Sequence, residues 1–105
     1  MKDLYELLQE IKARPALYVG GKSIFRLESF IDGYFYARRD SGLPLSEREK
    51  DYFNNFHQWL EERLRAKTTL SWSKIIFFRS SDEIQATELF FKLFDEFINR
   101  DKSEK

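Results

Sequence analysis

Ser71-Trp72-Ser73-Lys74-Ile75-Ile76-Phe77-Phe78-Arg79 is the stretch on which the fold class turns. Its apolar run is short and partly β-branched, so periodicity alone fits a buried strand almost as well as a short helix. A strand needs a neighbour, because its backbone N–H and C=O groups must be paired when buried. No other stretch of the chain reads as a strand. A helix is therefore expected here, with a short strand over 74–79 as the alternative. The remainder reads as helices, which predicts an all-α fold: a compact bundle of four to five helices forming a single domain over residues 1–105.

Upstream of this stretch, Glu47 to about Ala66 reads as a long helix. Ser46 and Glu49 have the spacing of a capping box, in which side chain and backbone at the helix start satisfy each other. Tyr52, Phe53, Phe56, Leu60 and Leu64 form the expected buried stripe, with Trp59 at its edge. Before it, Ser41-Gly42-Leu43-Pro44-Leu45 breaks the chain. A second helix is expected from Ser23, as N-cap, to about Asp40. Ile24, Leu27, Phe30, Ile31, Tyr34 and Ala37 share one face of it, while Phe25, Ser29, Asp32 and Tyr36 cluster on the opposite side. Rings on two faces suit a helix that is central in its bundle or presents one face to a partner. Gly33 interrupts this helix at some cost, and such a glycine commonly marks close backbone approach, either by a neighbouring helix or by a ligand.

The first helix is expected from Asp3, a suitable N-cap, to Arg14, with Leu4, Leu7, Leu8 and Ile11 at helical spacing. Pro15 then ends it. Pro15-Ala16-Leu17-Tyr18-Val19-Gly20-Gly21 reads as an ordered loop folded back on the core. Downstream, Ser80 and Glu83 have capping-box spacing again. The last helix is expected from about Ser81 to Arg100, with Ile84, Thr87, Phe90, Phe91, Phe94, Phe97 and Ile98 as its apolar face. Asp101 to Lys105 reads as a charged, frayed tail.

Composition bounds the function classes. The chain has 105 residues, 42% hydrophobic and 34% charged, which describes one globular domain rather than a disordered segment. Aromatic residues reach 17%, with 11 Phe, so rings supply much of the core and can also anchor an interface. Eighteen basic and eighteen acidic residues cancel. Nucleic-acid binders carry a basic surplus or stripe, and this chain has none; Arg63, Arg65 and Lys67 read as a helix C-terminus complementing its dipole. The absence of cysteine allows a reducing compartment. With no secretory signal at Met1 and no apolar run beyond Ile75–Phe78, a cytoplasmic protein that does not enter membranes is expected.

Catalytic material is sparse. His57 is the one histidine, on a helix flank with no nucleophile motif beside it. Adjacent carboxylates such as Glu61–Glu62 and Asp95–Glu96 diverge on a helix and do not form a metal site. Gly20-Gly21-Lys22-Ser23 has the end of a phosphate-binding loop but lacks the earlier glycine, a position filled by Ala16, and a preceding strand. What remains is the generic anion affinity of a helix N-terminus. The chain is expected to be no enzyme and to need no cofactor or metal.

One further pattern runs through most of the chain. Arg14-Pro15, Tyr18-x-Gly20, Ser23, Leu27 and Phe30-Ile31-Asp32-Gly33-Tyr34 are followed by Phe53, Phe56 and Trp59. Ser71-Trp72, Ile75-Ile76, Glu83 and Phe91-x-x-Phe94-Asp95-Glu96-Phe97 complete it. This string resembles that of small bacterial proteins encoded beside polymorphic or contact-dependent growth inhibition toxins, which act as immunity proteins. The resemblance implies a protein that binds one toxin domain and neutralises it by stoichiometric occlusion. Many nuclease inhibitors of that kind are strongly acidic to meet a basic cleft; this chain departs from them in being neutral. Candidate contacts are Phe25, Asp32 and Tyr36 on the back of the 23–40 helix, with Tyr18 from the adjoining loop. The alternative is a regulatory or scaffold domain with another protein partner, and the ring-rich stripes would also serve a homodimer.

Overall fold

The computed structural model describes residues 2–100, in six helices: α1 (Leu4–Ala13), α2 (Pro15–Val19), α3 (Ile24–Asp40), α4 (Glu47–Leu64), α5 (Trp72–Phe77) and α6 (Glu83–Ile98). There is no strand among the described residues. The fold is all-α, with one more helix than the upper expectation. The charged segment from residue 101 onward lies outside the described residues.

The decisive stretch is helical. Ser73, Ile75 and Ile76 are buried, Trp72 and Phe77 are half-buried, and Lys74 and Phe78 face outward. Burying Ile75 and Ile76 side by side suits a helix turned toward the core, not a strand alternating between two faces. Within α5, hydrogen bonds close locally: Ile75 N–H reaches Ser71 C=O at 3.1 Å and Phe78 N–H reaches Lys74 C=O at 2.9 Å. No partner strand is then required.

The added helix is α2. Proline at its first position needs no N–H donor there and already has a helical φ, so Pro15 starts this helix as well as ending α1. The loop expected over Pro15–Gly21 is thus one helical turn and a bend. Gly20 closes it in the left-handed region at φ 76°, donating its N–H to the Pro15 carbonyl.

Local chemistry sets most other boundaries. Asp3 caps α1 through a reciprocal pair with Glu6: Glu6 N–H donates to Asp3 Oδ1 at 3.0 Å, and Asp3 N–H to Glu6 Oε1 at 3.1 Å. Ser46 and Glu49 form the expected box on α4. That helix stops at Leu64, because Arg65 takes a left-handed conformation with φ 53°. The start of α6 differs from expectation. Asp82 caps it, accepting from Gln85 N–H at 2.8 Å, whereas the Ser80 hydroxyl donates back to the Ile76 carbonyl at 2.9 Å. A carboxylate three residues before the capped N–H displaces the Ser80–Glu83 box.

The core lies between α1, α3, α4, α5 and α6. Phe56, Phe90, Phe94 and Phe97 are fully buried with Leu4, Leu8, Ile11, Ile24, Leu27, Ile31, Leu60 and Ile75. The rings of Phe56 and Phe97 meet edge to face at 5.3 Å between centroids, and Tyr52 stacks on Phe56 at 4.8 Å. The stripe of α6 therefore fills the protein's own core. Its first expected member does not join in: Ile84 is exposed. Phe53, expected in the buried stripe of α4, is exposed as well, and so is Ala37 on α3, since each stands off its helix's buried line. At Gly33 an added Cβ would meet nothing within 4 Å, so no backbone approaches it and the close-packing reading of that glycine is overturned.

Candidate functional site

Phe35, Tyr36 and Phe53, left out of the buried core, gather between α3 and α4 beside the buried Tyr52. On α3, Phe35 and Tyr36 follow the buried Ile31; on α4, Tyr52 and Phe53 precede the buried Phe56. A step of one residue along a helix turns about 100°, so each helix carries rings from its core face round to its shoulder. The two shoulders line a groove of about 590 Å³ that Trp72, Leu43 and Leu45 also border. Phe35 and Phe53 meet at 5.0 Å, edge to face. Tyr36 is 62% exposed and Phe53 61%, so both rims are wet and apolar.

Polar groups are few and differ along the groove. Asp32 lies at the end nearest Trp72; Arg39, two turns further along α3, lies toward Leu43 with its guanidinium 5.5 Å from the Tyr36 ring centroid. The Asp32 carboxyl titrates above its ordinary value, through partial desolvation and the neighbouring Glu28 carboxylate. Glu28 is held in place by the Ser73 hydroxyl, which donates to it at 2.7 Å, and Ser73 lies 3.1 Å from the Ser71 hydroxyl. Beneath them, the Tyr52 hydroxyl is buried without a hydrogen-bond partner. Its ionisation is suppressed by burial and by the fields of Asp32 and Glu28. His57, on the α4 rim, is exposed and stands 3.7 Å from Glu61 one turn on.

The four candidate contacts therefore fall into two groups. Asp32 and Tyr36 belong to this groove. Tyr18 and Phe25 border a separate cleft on the other flank of α3, with Val19, Arg26, Ser29 and Phe30. There Phe25 packs on Phe77 at 5.2 Å, and the Tyr18 hydroxyl donates to Glu10 at 3.2 Å. Both are half-buried and already engaged. The residues that sequence reasoning missed in the main groove are Phe35, Leu43, Leu45 and the outward-turned Phe53. For Phe53 a signal was present: it directly follows Tyr52, and adjacent helical residues do not share a face.

The loop with phosphate-like spacing is otherwise occupied. Lys22 pairs with Glu88 at 3.2 Å, and the Ser23 hydroxyl donates to Glu83 at 2.6 Å. A carboxylate thus faces the N-terminus of α3, where an anion would have to sit. Among the described residues, no cluster of three or more His, Asp or Glu side chains could hold a metal ion, and no helix is long and apolar enough to cross a membrane. No protein-family model, curated protein or solved structure matches the chain.

Proposed function

We propose that this chain is a binding protein that docks a protein partner in the α3–α4 groove and acts by occlusion rather than by chemistry. The observation that carries this reading is the groove itself. Of the large apolar side chains that the fold leaves exposed, Tyr36, Phe53 and Leu43 stand together at the rims of one aromatic channel, whereas Leu17, Phe78 and Ile84 lie outside it. Aromatic side chains held on rigid helices make strong anchors, because little conformational freedom remains to be lost on binding.

The partner we propose is a bacterial toxin domain, on the resemblance of the Arg14–Phe97 motif string to immunity proteins. On this reading the protein meets the toxin in the cytoplasm, one to one, and covers a surface the toxin needs. Overall neutrality fits a target other than a strongly basic nuclease cleft. The test is co-expression with the C-terminal domain of a large secreted protein encoded by the adjacent gene. Rescue of growth, with a one-to-one complex on gel filtration, is the expected result. Survival no better than without the protein, together with no complex, would overturn it. A complex without rescue would favour a regulatory or scaffold role.

A further inference from the structure

The Asp32 end of the groove combines three features. First, Asp32 and Glu28 are one turn apart on α3, and among the described residues no ion pair joins either to a basic side chain. Arg39 lies seven residues from Asp32, about 10 Å along the helix, and is stacked at Tyr36. Second, the Tyr52 ring lines the groove floor, and its buried hydroxyl has no partner. Buried hydroxyls are normally paired. Third, Phe35, Phe53 and Trp72 present ring surface beside these groups.

We propose that this end of the groove receives an arginine side chain of the protein partner. The inference rests on the protein-binding reading above and specifies its recognition chemistry. A guanidinium is planar, delocalised and weakly hydrated. It can lie against an aromatic face while donating in its plane to a carboxylate and to a hydroxyl oxygen. Here Asp32 supplies the carboxylate and Tyr52 the unpaired oxygen, reached once the side chains covering it part, while Glu28, anchored by Ser73, adds negative field. Lysine matches less well, since its compact, strongly hydrated ammonium gives up more on entering an aromatic slot.

The test uses the full chain and two capped tripeptides, acetyl-Gly-Arg-Gly-amide and its citrulline counterpart, which keeps the shape and removes the charge. Backbone-amide and indole NMR shifts follow the titration. The arginine peptide should perturb Tyr36, Phe53 and Trp72, and the citrulline peptide should bind at least about tenfold more weakly. Asp32→Asn and Tyr52→Phe should each weaken arginine binding several-fold, with Tyr52→Phe melting no lower than the parent because the hydroxyl it removes is unpaired. Equal binding of the two peptides, undiminished binding in both variants, or shifts mapping away from the groove would each overturn the proposal. Arginine binding without any toxin complex removes the proposed partner and leaves this site intact. A toxin complex that Asp32→Asn does not weaken removes this site and leaves the partner.

Discussion

Glu49, in the first turn of α4, accepts the backbone N–H of Leu4, the first residue of α1, at 2.9 Å. One carboxylate, 45 residues from Leu4, thus satisfies the starts of two helices. Its other oxygen accepts Ser46 N–H at 2.8 Å, closing the capping box of its own helix. The Tyr34 hydroxyl of α3 also donates to it, and the Arg38 guanidinium stands 3.5 Å away. Glu49 is fully buried, and three helices meet on it.

Glu49→Gln removes the charge from this junction and leaves the half-buried Arg38 without its counter-ion. Breaking a buried pair from one side costs about 3 kcal/mol or more. Urea unfolding at pH 7 should show a loss of that order; a loss below about 1 kcal/mol would mean that water replaces the carboxylate.

Acid should weaken the fold through the same group. Burial pushes the Glu49 carboxyl up, but hydrogen bonds from Tyr34, Ser46 and Leu4 together outweigh it and hold it below its ordinary 4.5. Asp51, bonded by Arg100, is likewise held below 3.8. A depressed folded value means that the unfolded chain binds the proton more readily. The stabilisation is therefore complete above about pH 4.5 and lost as pH falls through the folded values. Asp32 has the opposite sign: its folded value is raised, so its contribution worsens as pH climbs past 3.8. Melting curves from pH 7 to pH 2 should fall less steeply in Glu49→Gln than in the parent. Asp32→Asn should raise the melting temperature at pH 7 more than at pH 3.

Gly33 offers a gain. It sits inside α3 with open space where a Cβ would go, so Gly33→Ala removes unfolded-state freedom and adds helix propensity without a clash. Stabilisation of about 0.5–1 kcal/mol is expected from denaturant midpoints. Destabilisation would show that the position needs a flexible backbone.

Arg65 offers a second, by the reverse change. Its φ of 53° places a residue that carries a Cβ where glycine is at ease. Arg65→Gly should raise stability by about 0.5–1 kcal/mol, read in the same denaturation experiment.

Core and groove should separate cleanly by mutation. Phe94 is fully buried and Phe53 is 61% exposed. Phe94→Ala should cost about 3–5 kcal/mol, whereas Phe53→Ala should cost less than about 1 kcal/mol while weakening partner binding. A large stability loss in Phe53→Ala would assign that ring to packing.

Much of the fold can be read along the chain because its causes are local. Caps at Asp3, Ser23 and Ser46 lie within three residues of the N–H groups they satisfy. The buried line Ile24, Leu27 and Ile31 follows helical spacing, and the Ser71–Arg79 stretch follows from the lack of a strand to pair with. Where two local solutions compete, position alone is ambiguous: Ser80 and Asp82 both precede α6 at capping distance, and Pro15 can both end and begin a helix. Of the groove, Asp32 and Tyr36 were visible as an outward face of α3. Their separation from Tyr18 and Phe25 was not, because it depends on which flank of α3 each neighbouring helix covers.

Amino-acid order by itself determined that this protein is helical, where its long helices lie and which residues can be buried, since hydrogen bonds and side-chain periodicity within a helix span only three or four residues. Tertiary structure alone decided that Phe53 meets Phe35, that the Tyr52 hydroxyl is buried without a partner, and that Glu49 joins α1, α3 and α4. Those outcomes depend on contacts between helices far apart in the chain, whose geometry is set by how the whole core packs.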